Sequence, residues 1–201
     1  NVDWQEAAAD HADGYTLALR YNAVATYTGT ATVRASAYTH TDAGCDMICV
    51  HGRTRPQMYH GESSNEAIAV MRDAVRGYVI PFFANGDICD VRSAKKIIED
   101  TDCDGIMIGR AARGNPWIFG RVLAGLNGTE MPDLPGVQDR KNMLLRELEG
   151  RLKYLPEDVA VREFRSVMPY YVKGLPGSAQ IKVKLVNAVS FDEVKEIIEL
   201  A

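Results

Sequence analysis

Three short apolar runs in the middle of the chain end in glycine flanked by charged or polar residues. They are Val50-His51-Gly52-Arg53-Thr54-Arg55, Ala84-Asn85-Gly86-Asp87 and Ile108-Gly109-Arg110-Ala111-Ala112-Arg113-Gly114-Asn115. Glycine lets a backbone approach a ligand closely, and a helix N-terminus beyond it adds roughly half a positive charge. Arginine contributes a fork of donors matched to phosphate oxygens. The chemistry open to such ends is anion binding, above all of phosphate. Each also has a plainer reading. The glycines can be tight turns and the arginines solvated rim charges, His51 can be a hydrogen-bonded structural histidine, and Asp87 can cap the next turn. The two ends Asn85-Gly86-Asp87 and Gly109-Arg110, one unit apart, point to phosphate more strongly together than either does alone.

The elements that must position these ends follow from the apolar pattern. Strands are expected over Asp46–Val50, Tyr78–Ala84 and Gly105–Gly109, with Pro81 marking where the second begins to pair. Helices are expected behind each. A capping box Ser63-x-x-Glu66 precedes Ala67, Ile68, Val70, Met71 and Val75. Asp90 is placed as N-cap before Val91, Ala94, Ile97 and Ile98, and the third helix starts near Asn115-Pro116. Short strands apolar on both faces and separated by helices mean a parallel sheet in an α/β fold. In such folds ligands bind at the carboxyl ends of the strands, and two successive phosphate-type loops match the site after strands 7 and 8 of a (β/α)8 barrel.

After about residue 125 the pattern changes. Asn127-Gly128-Thr129 and Pro132 to Gly136 form a turn-rich linker, and beyond it helices are expected over 138–154, 157–173, 178–188 and 191–200. Pro169 should kink or break its helix, and Ser190-x-x-Glu193 makes a further capping box. Residues 1–40 show no clean period, although Tyr21–Val33 has room for one or two strands.

Among 201 residues of net charge −4 there is no apolar run of membrane-spanning length and no signal-peptide pattern at the start, which suggests a cytoplasmic protein. Cys45, Cys49, Cys89 and Cys103 lack the spacing of a metal site and read as reduced structural thiols. The charge is uneven. Arg162, Arg165, Lys173, Lys182 and Lys184 face only Glu163 within their segment, so a local basic stretch on an acidic body offers a polyanion contact.

The segments VHGRTRPQMYHG, ANGDI and DGIMIGRAARGNPWIF, in this order and spacing, closely resemble the tRNA-dihydrouridine synthases, particularly the bacterial B-type branch. The tail VREFRSVMPYYVKGLPGSAQIKVKLVNAVSFDEVKEII looks like the RNA-binding helices of that family, and the likeness runs from about 43 to 200. The resemblance implies FMN as cofactor, NADPH as reductant and tRNA as the partner whose uridines become 5,6-dihydrouridine. It implies that Asn85, Gly86 and Asp87 form one FMN-contact loop and that Gly109 and Arg110 contact the phosphate. His51 matches a histidine that faces the isoalloxazine, and Arg162, Arg165, Tyr171, Lys173 and Lys182 fall in the tail that lies along tRNA.

The sequence also departs from the family. It has neither the proline-methionine flavin loop nor the asparagine-x-glycine-cysteine-proline context of the catalytic cysteine, so a catalytic role is carried over to no residue. Thr32-Val33-Arg34 is the nearest counterpart to the strand that bears a flavin-contacting lysine. Asn65 stands for a usual tryptophan, while Ser166, Val167 and Tyr170 replace basic, histidine and tryptophan residues. The expected organisation is therefore an α/β fold: residues 1–40 unassigned, 41–125 the C-terminal βα units of a TIM barrel, and 138–201 an all-helical tRNA-binding domain. Only about half a barrel fits before the linker, so the chain reads as truncated or divergent, inactive alone, and able to self-associate through open barrel edges. The alternative is a non-catalytic tRNA-binding remnant.

Overall fold

In a computed structural model of the chain, residues 16–19, 23–26, 45–53, 57 and 60–200 are described. Thr54, Arg55 and the Thr32-Val33-Arg34 segment lie outside the described residues. Five strands form one sheet in chain order: β1 (Thr16–Leu19), β2 (Ala23–Thr26), β3 (Ile48–His51), β4 (Phe82–Asn85) and β5 (Gly105–Met107). From β2 onward every neighbour is parallel, in a register that aligns Thr26, His51, Asn85 and Met107 at the carboxyl ends. β1 departs from this pattern, pairing antiparallel with β2 through Thr16↔Thr26 and Leu19↔Ala23. β2 lies inside the Tyr21–Val33 stretch that had room for strands; β1 lies before it.

Helices α1 (Asn65–Val75) and α2 (Val91–Thr101) follow β3 and β4. They bury Ile68, Met71 and Val75, and Ala94 and Ile97, while Ile48, Cys49 and Val50 of β3 are all at most 2% exposed. Three successive strand residues point to alternate faces, so their burial shows that both faces are covered, as the apolar run required. Asp90 caps α2 as expected: its carboxylate accepts from the Ser93 N–H at 2.7 Å and its own N–H donates to Ser93 Oγ at 3.0 Å. The cap of α1 is one residue later than the Ser63-x-x-Glu66 pattern indicated. Ser64 Oγ accepts from the Ala67 N–H at 3.1 Å, while the Ser63 N–H is drawn to Asp87 at 3.0 Å. Pro81 lies just before β4 and its carbonyl accepts from the Ile48 N–H at 2.9 Å, which resolves how a proline is tolerated there.

A single-turn helix (Arg110–Ala112) leads toward α3 (Trp117–Asn127), followed by α4 (Val137–Leu152), α5 (Glu157–Phe164), α6 (Met168–Tyr171), α7 (Ser178–Asn187) and α8 (Phe191–Glu199). Pro169 falls in the first turn of α6, and the helix expected over 157–173 is broken there, as its missing N–H demands. Ser190 caps α8 by accepting from the Glu193 N–H at 3.2 Å; the Glu193 carboxylate returns to the Val189 N–H rather than to that of Ser190.

The chain divides into two compact units, one of residues 1–110 with 125–129 and one of residues 111–124 with 130–201. Residues 111–124, which the sequence grouped with the strands, belong with the helices. The reason is local: Gly114 abuts the backbone of Tyr170 and Tyr171, and Trp117 packs on the core of Leu144, Leu148, Phe164, Met168, Leu185 and Val194. Gly125 stays with the strands because it lies against Val91, where a Cβ would come within 2.4 Å of a valine methyl.

Candidate functional site

The two strand ends His51-Gly52-Arg53 and Asn85-Gly86-Asp87 run side by side in parallel register. The Gly52 N–H donates to the Asn85 carbonyl at 3.0 Å, and His51 Nδ1 lies 3.0 Å from the same oxygen. A carbonyl only accepts, so Nδ1 carries a proton and donates it to this oxygen, which fixes the ring and leaves Nε2 outside the bond. Asn85 in turn donates from Nδ2 to the Met107 carbonyl at 3.1 Å, tying β3, β4 and β5 together at their carboxyl ends.

Two residues beyond that register lie Arg53 and Asp87. Arg53 is 4% exposed, yet it carries a full charge. Its guanidinium grips Asp87 with two teeth, Nη2 to Oδ2 at 2.5 Å and Nε to Oδ1 at 3.3 Å, and Nη1 donates to the His60 carbonyl at 3.0 Å. Asp87 Oδ2 also accepts from the Ser63 N–H, and Oδ1 accepts from Arg110 Nη2 at 2.6 Å. Partial burial works to raise the Asp87 pKa, but the Arg53 hydrogen bond, the Ser63 N–H and the charges of Arg53 and Arg110 outweigh it. The carboxyl is held below its ordinary value of 3.8.

The glycines play different parts. Among the described residues a Cβ on Gly109 would meet nothing within 4 Å, so there is open space beside its backbone. A Cβ on Gly86 would come within 3.0 Å of Ser63 Oγ and 3.1 Å of Ile97, and one on Gly52 within 2.6 Å of the Ser64 carbonyl. Those two positions are glycine because Ser63 and Ser64 close over them. Arg110, 47% exposed at its side chain and braced by Asp87, is suited to a phosphate monoester such as the one FMN carries. The residues present therefore fit the phosphate end of that cofactor. Burial, with Cys103 adding to it, pushes the Cys49 thiol up to about 11, so Cys49 stays a protonated core residue; all four cysteines are free.

In the helical unit the expected RNA-facing residues separate. Arg162 and Lys173 are exposed and Lys182 is half-buried, with exposed Lys184 beside it. Tyr171 is not on the surface: it is 2% exposed, and its hydroxyl donates to Glu147 at 2.7 Å. Its place in the core was legible from Phe164, Met168, Tyr171, Val172 and Leu175, an apolar stripe at helical spacing. Arg165 is half-buried and donates from both Nε (3.0 Å) and Nη2 (2.6 Å) to the Ala188 carbonyl, closing the end of α7. Tyr171 thus belongs to the core of the tail, and Arg165 is engaged in holding its fold. Arg53, which pairs with Asp87 at these strand ends, was not singled out from the sequence. The signal for it was the alignment of His51-Gly52-Arg53 on Asn85-Gly86-Asp87, which sets arginine opposite aspartate. Among the described residues no group of three or more His, Cys, Asp or Glu side chains could hold a metal, and no helix is long and apolar enough to cross a membrane.

A largely parallel sheet with an arginine presented at its carboxyl ends, in a chain that continues into a small helical unit, defines the class as an α/β protein. Residues 31–200 match the sequence model of the dihydrouridine synthase (Dus) family, and the chain belongs to that family. The match begins at residue 31, ahead of the first motif that carried the resemblance, so part of the stretch taken as unlike the family is within it. The chain is 38% identical over 143 residues to tRNA-dihydrouridine synthase B of Pseudomonas aeruginosa, covering 71% of this chain and 42% of that protein; this agrees with the B-type branch. It is 35% identical over 147 residues to a probable tRNA-dihydrouridine synthase of Rickettsia bellii (72% and 44%). It is 32% identical over 160 residues to one from Aquifex aeolicus (79% and 48%). The chain thus spans less than half the length of these curated relatives.

Proposed function

We propose that this chain carries the flavin-phosphate-binding and tRNA-facing part of a tRNA-dihydrouridine synthase, a cytoplasmic FMN-dependent oxidoreductase that uses NADPH to reduce uridine to 5,6-dihydrouridine in tRNA. The observation that carries the reading is Arg110, held by Asp87 beside an unobstructed Gly109 at the end of β5. The successive parallel pairing of β2 to β5 supports a segment of a (β/α)8 barrel, in which each strand is laid beside the one before.

FMN held there would supply the hydride for the C5=C6 bond of uracil. The work of this chain's own side chains is binding and orientation. Arg110 donates to the phosphate, the backbone at Gly109 lets the phosphate approach, and His51, its ring fixed on the Asn85 carbonyl, faces the flavin ring. In the helical unit Arg162, Lys173, Lys182 and Lys184 neutralise tRNA phosphates without reading bases. The test is to add FMN to the purified chain, remove the excess by gel filtration and record the flavin absorbance of the protein peak. The parent is expected to elute yellow and Arg110→Ala colourless; equal colour in both would contradict the assignment.

The second reading, a tRNA-binding chain without chemistry of its own, is favoured by the absence from this sequence of a cysteine in the asparagine-x-glycine-cysteine-proline context, Cys49 being a buried residue of β3. It predicts salt-dependent tRNA binding with no flavin retained.

A further inference from the structure

A buried arginine at the end of a strand requires an explanation, because a guanidinium loses its hydration there and must be paired. Arg53 is paired by Asp87 and the His60 carbonyl through Nε, Nη1 and Nη2. Asp87 is saturated. Oδ1 accepts from Arg53 Nε and Arg110 Nη2, and Oδ2 accepts from Arg53 Nη2 and the Ser63 N–H. A carboxylate has about four acceptor sites, so Asp87 has none left for a ligand's donor. Its negative charge would also repel a phosphate approaching directly. Of the two guanidinium groups around this carboxylate, Arg53 is buried and Arg110 is the exposed one.

Resting on the flavin-phosphate reading above, we propose that Arg53 and Asp87 are positioning residues. Arg53 fixes Asp87, Asp87 fixes the guanidinium of Arg110, and of these three side chains only that of Arg110 touches the phosphate monoester. Within the loop carried over as an FMN contact, this gives the Asp87 carboxylate a supporting role. A half-exposed arginine loses rotamer freedom when it grips a ligand, and a carboxylate clamp removes most of that loss in advance. The clamp is anchored on the strand-end arginine of β3 and on the backbone just before α1, so its geometry is set by the sheet.

The test compares FMN with riboflavin, which lacks the phosphate, by flavin fluorescence titration of the whole chain. The variants are Asp87→Asn, Arg53→Lys and Arg110→Ala, alone and with each of the first two combined with Arg110→Ala. Each single change is expected to weaken FMN about tenfold or more and to leave riboflavin within about twofold. Asp87→Asn and Arg53→Lys should add nothing once Arg110 is alanine, because their effect passes through it. An Asp87→Asn penalty that persists in the Arg110→Ala background would make Asp87 a direct contact and overturn the proposal. So would equal losses for FMN and riboflavin, which would mark the cluster as a structural staple. A parent that binds FMN no better than riboflavin overturns the phosphate reading itself, an outcome separate from the loss of coupling. Should Asp87→Asn fail to fold by circular dichroism, Arg53→Lys keeps the buried positive charge and carries the same comparison.

Discussion

Tyr171 donates its hydroxyl to Glu147 at 2.7 Å in the core of the helical unit, and Glu147 also pairs with Arg151 at 3.1 Å. Arg151 lies over the ring of Phe164 at 4.8 Å, so α4, α5 and α6 meet through one polar cluster. Removing the hydroxyl leaves a half-buried carboxylate one donor short. Tyr171→Phe should therefore cost about 1–3 kcal/mol in urea unfolding of the chain while leaving tRNA affinity unchanged.

Burial, with the hydrogen bond and charge of Glu147 adding to it, raises the Tyr171 pKa well above its ordinary value of 10.0; Arg151 opposes the shift. A group that is harder to ionise in the folded state contributes stability in full below its unfolded pKa. That contribution is lost as pH rises from there through the folded pKa. Thermal unfolding should accordingly show a fall in midpoint above about pH 10 that is missing in Tyr171→Phe.

The strand unit titrates in the opposite direction. The Asp90 carboxyl is held below 3.8 by the Ser93 hydroxyl and N–H, and Asp87 is held low by its arginines despite partial burial. Lowered carboxyl pKa values give stability that is complete above the unfolded value and lost as pH falls through the folded ones. The unfolding midpoint should drop below about pH 4, and Asp90→Ala, which removes the cap of α2, should cost about 1 kcal/mol at neutral pH.

Arg162 and Arg165, three residues apart, should behave differently. Arg165→Ala strips the Ala188 carbonyl of both its guanidinium donors and should destabilise the chain by about 1.5–3 kcal/mol. Arg162 is 61% exposed with only a 3.8 Å pair to Asp158, so Arg162→Ala should leave the melting temperature unchanged. If the tail binds tRNA, that same variant should weaken binding and reduce the slope of log affinity against log salt by about 1. Filter binding across a salt series measures both.

Gly114 carries φ of +61°, and a Cβ there would come within 2.7–2.8 Å of Tyr170 and the Tyr171 backbone nitrogen. Gly114→Ala should cost about 2 kcal/mol or more, from the left-handed backbone and the clash together, read as a lowered denaturation midpoint.

The parts of this fold legible in the sequence are those governed by neighbours in the chain. Asp90 caps the helix that begins beside it, Pro169 breaks the helix it occupies, and the apolar runs became β3, β4 and β5. What the sequence left unread depends on partners far along the chain. Arg53 meets Asp87 across parallel strands, Tyr171 meets Glu147 across two helices, and Arg165 closes α7. A motif that matched a family's RNA-binding tail drew Tyr171 and Arg165 to the surface, whereas the 3.6-residue stripe through Phe164 and Met168 already assigned Tyr171 to the core. The candidate site followed the same rule: each glycine-marked strand end was visible, but not the ion-pair chain that joins them.

The most direct test of the phosphate site is the phosphorus-31 NMR signal of FMN titrated with the purified chain. A site built on Arg110 predicts a broadened and displaced phosphate resonance that returns to its free position with Arg110→Ala. A resonance unmoved by saturating parent protein would contradict it.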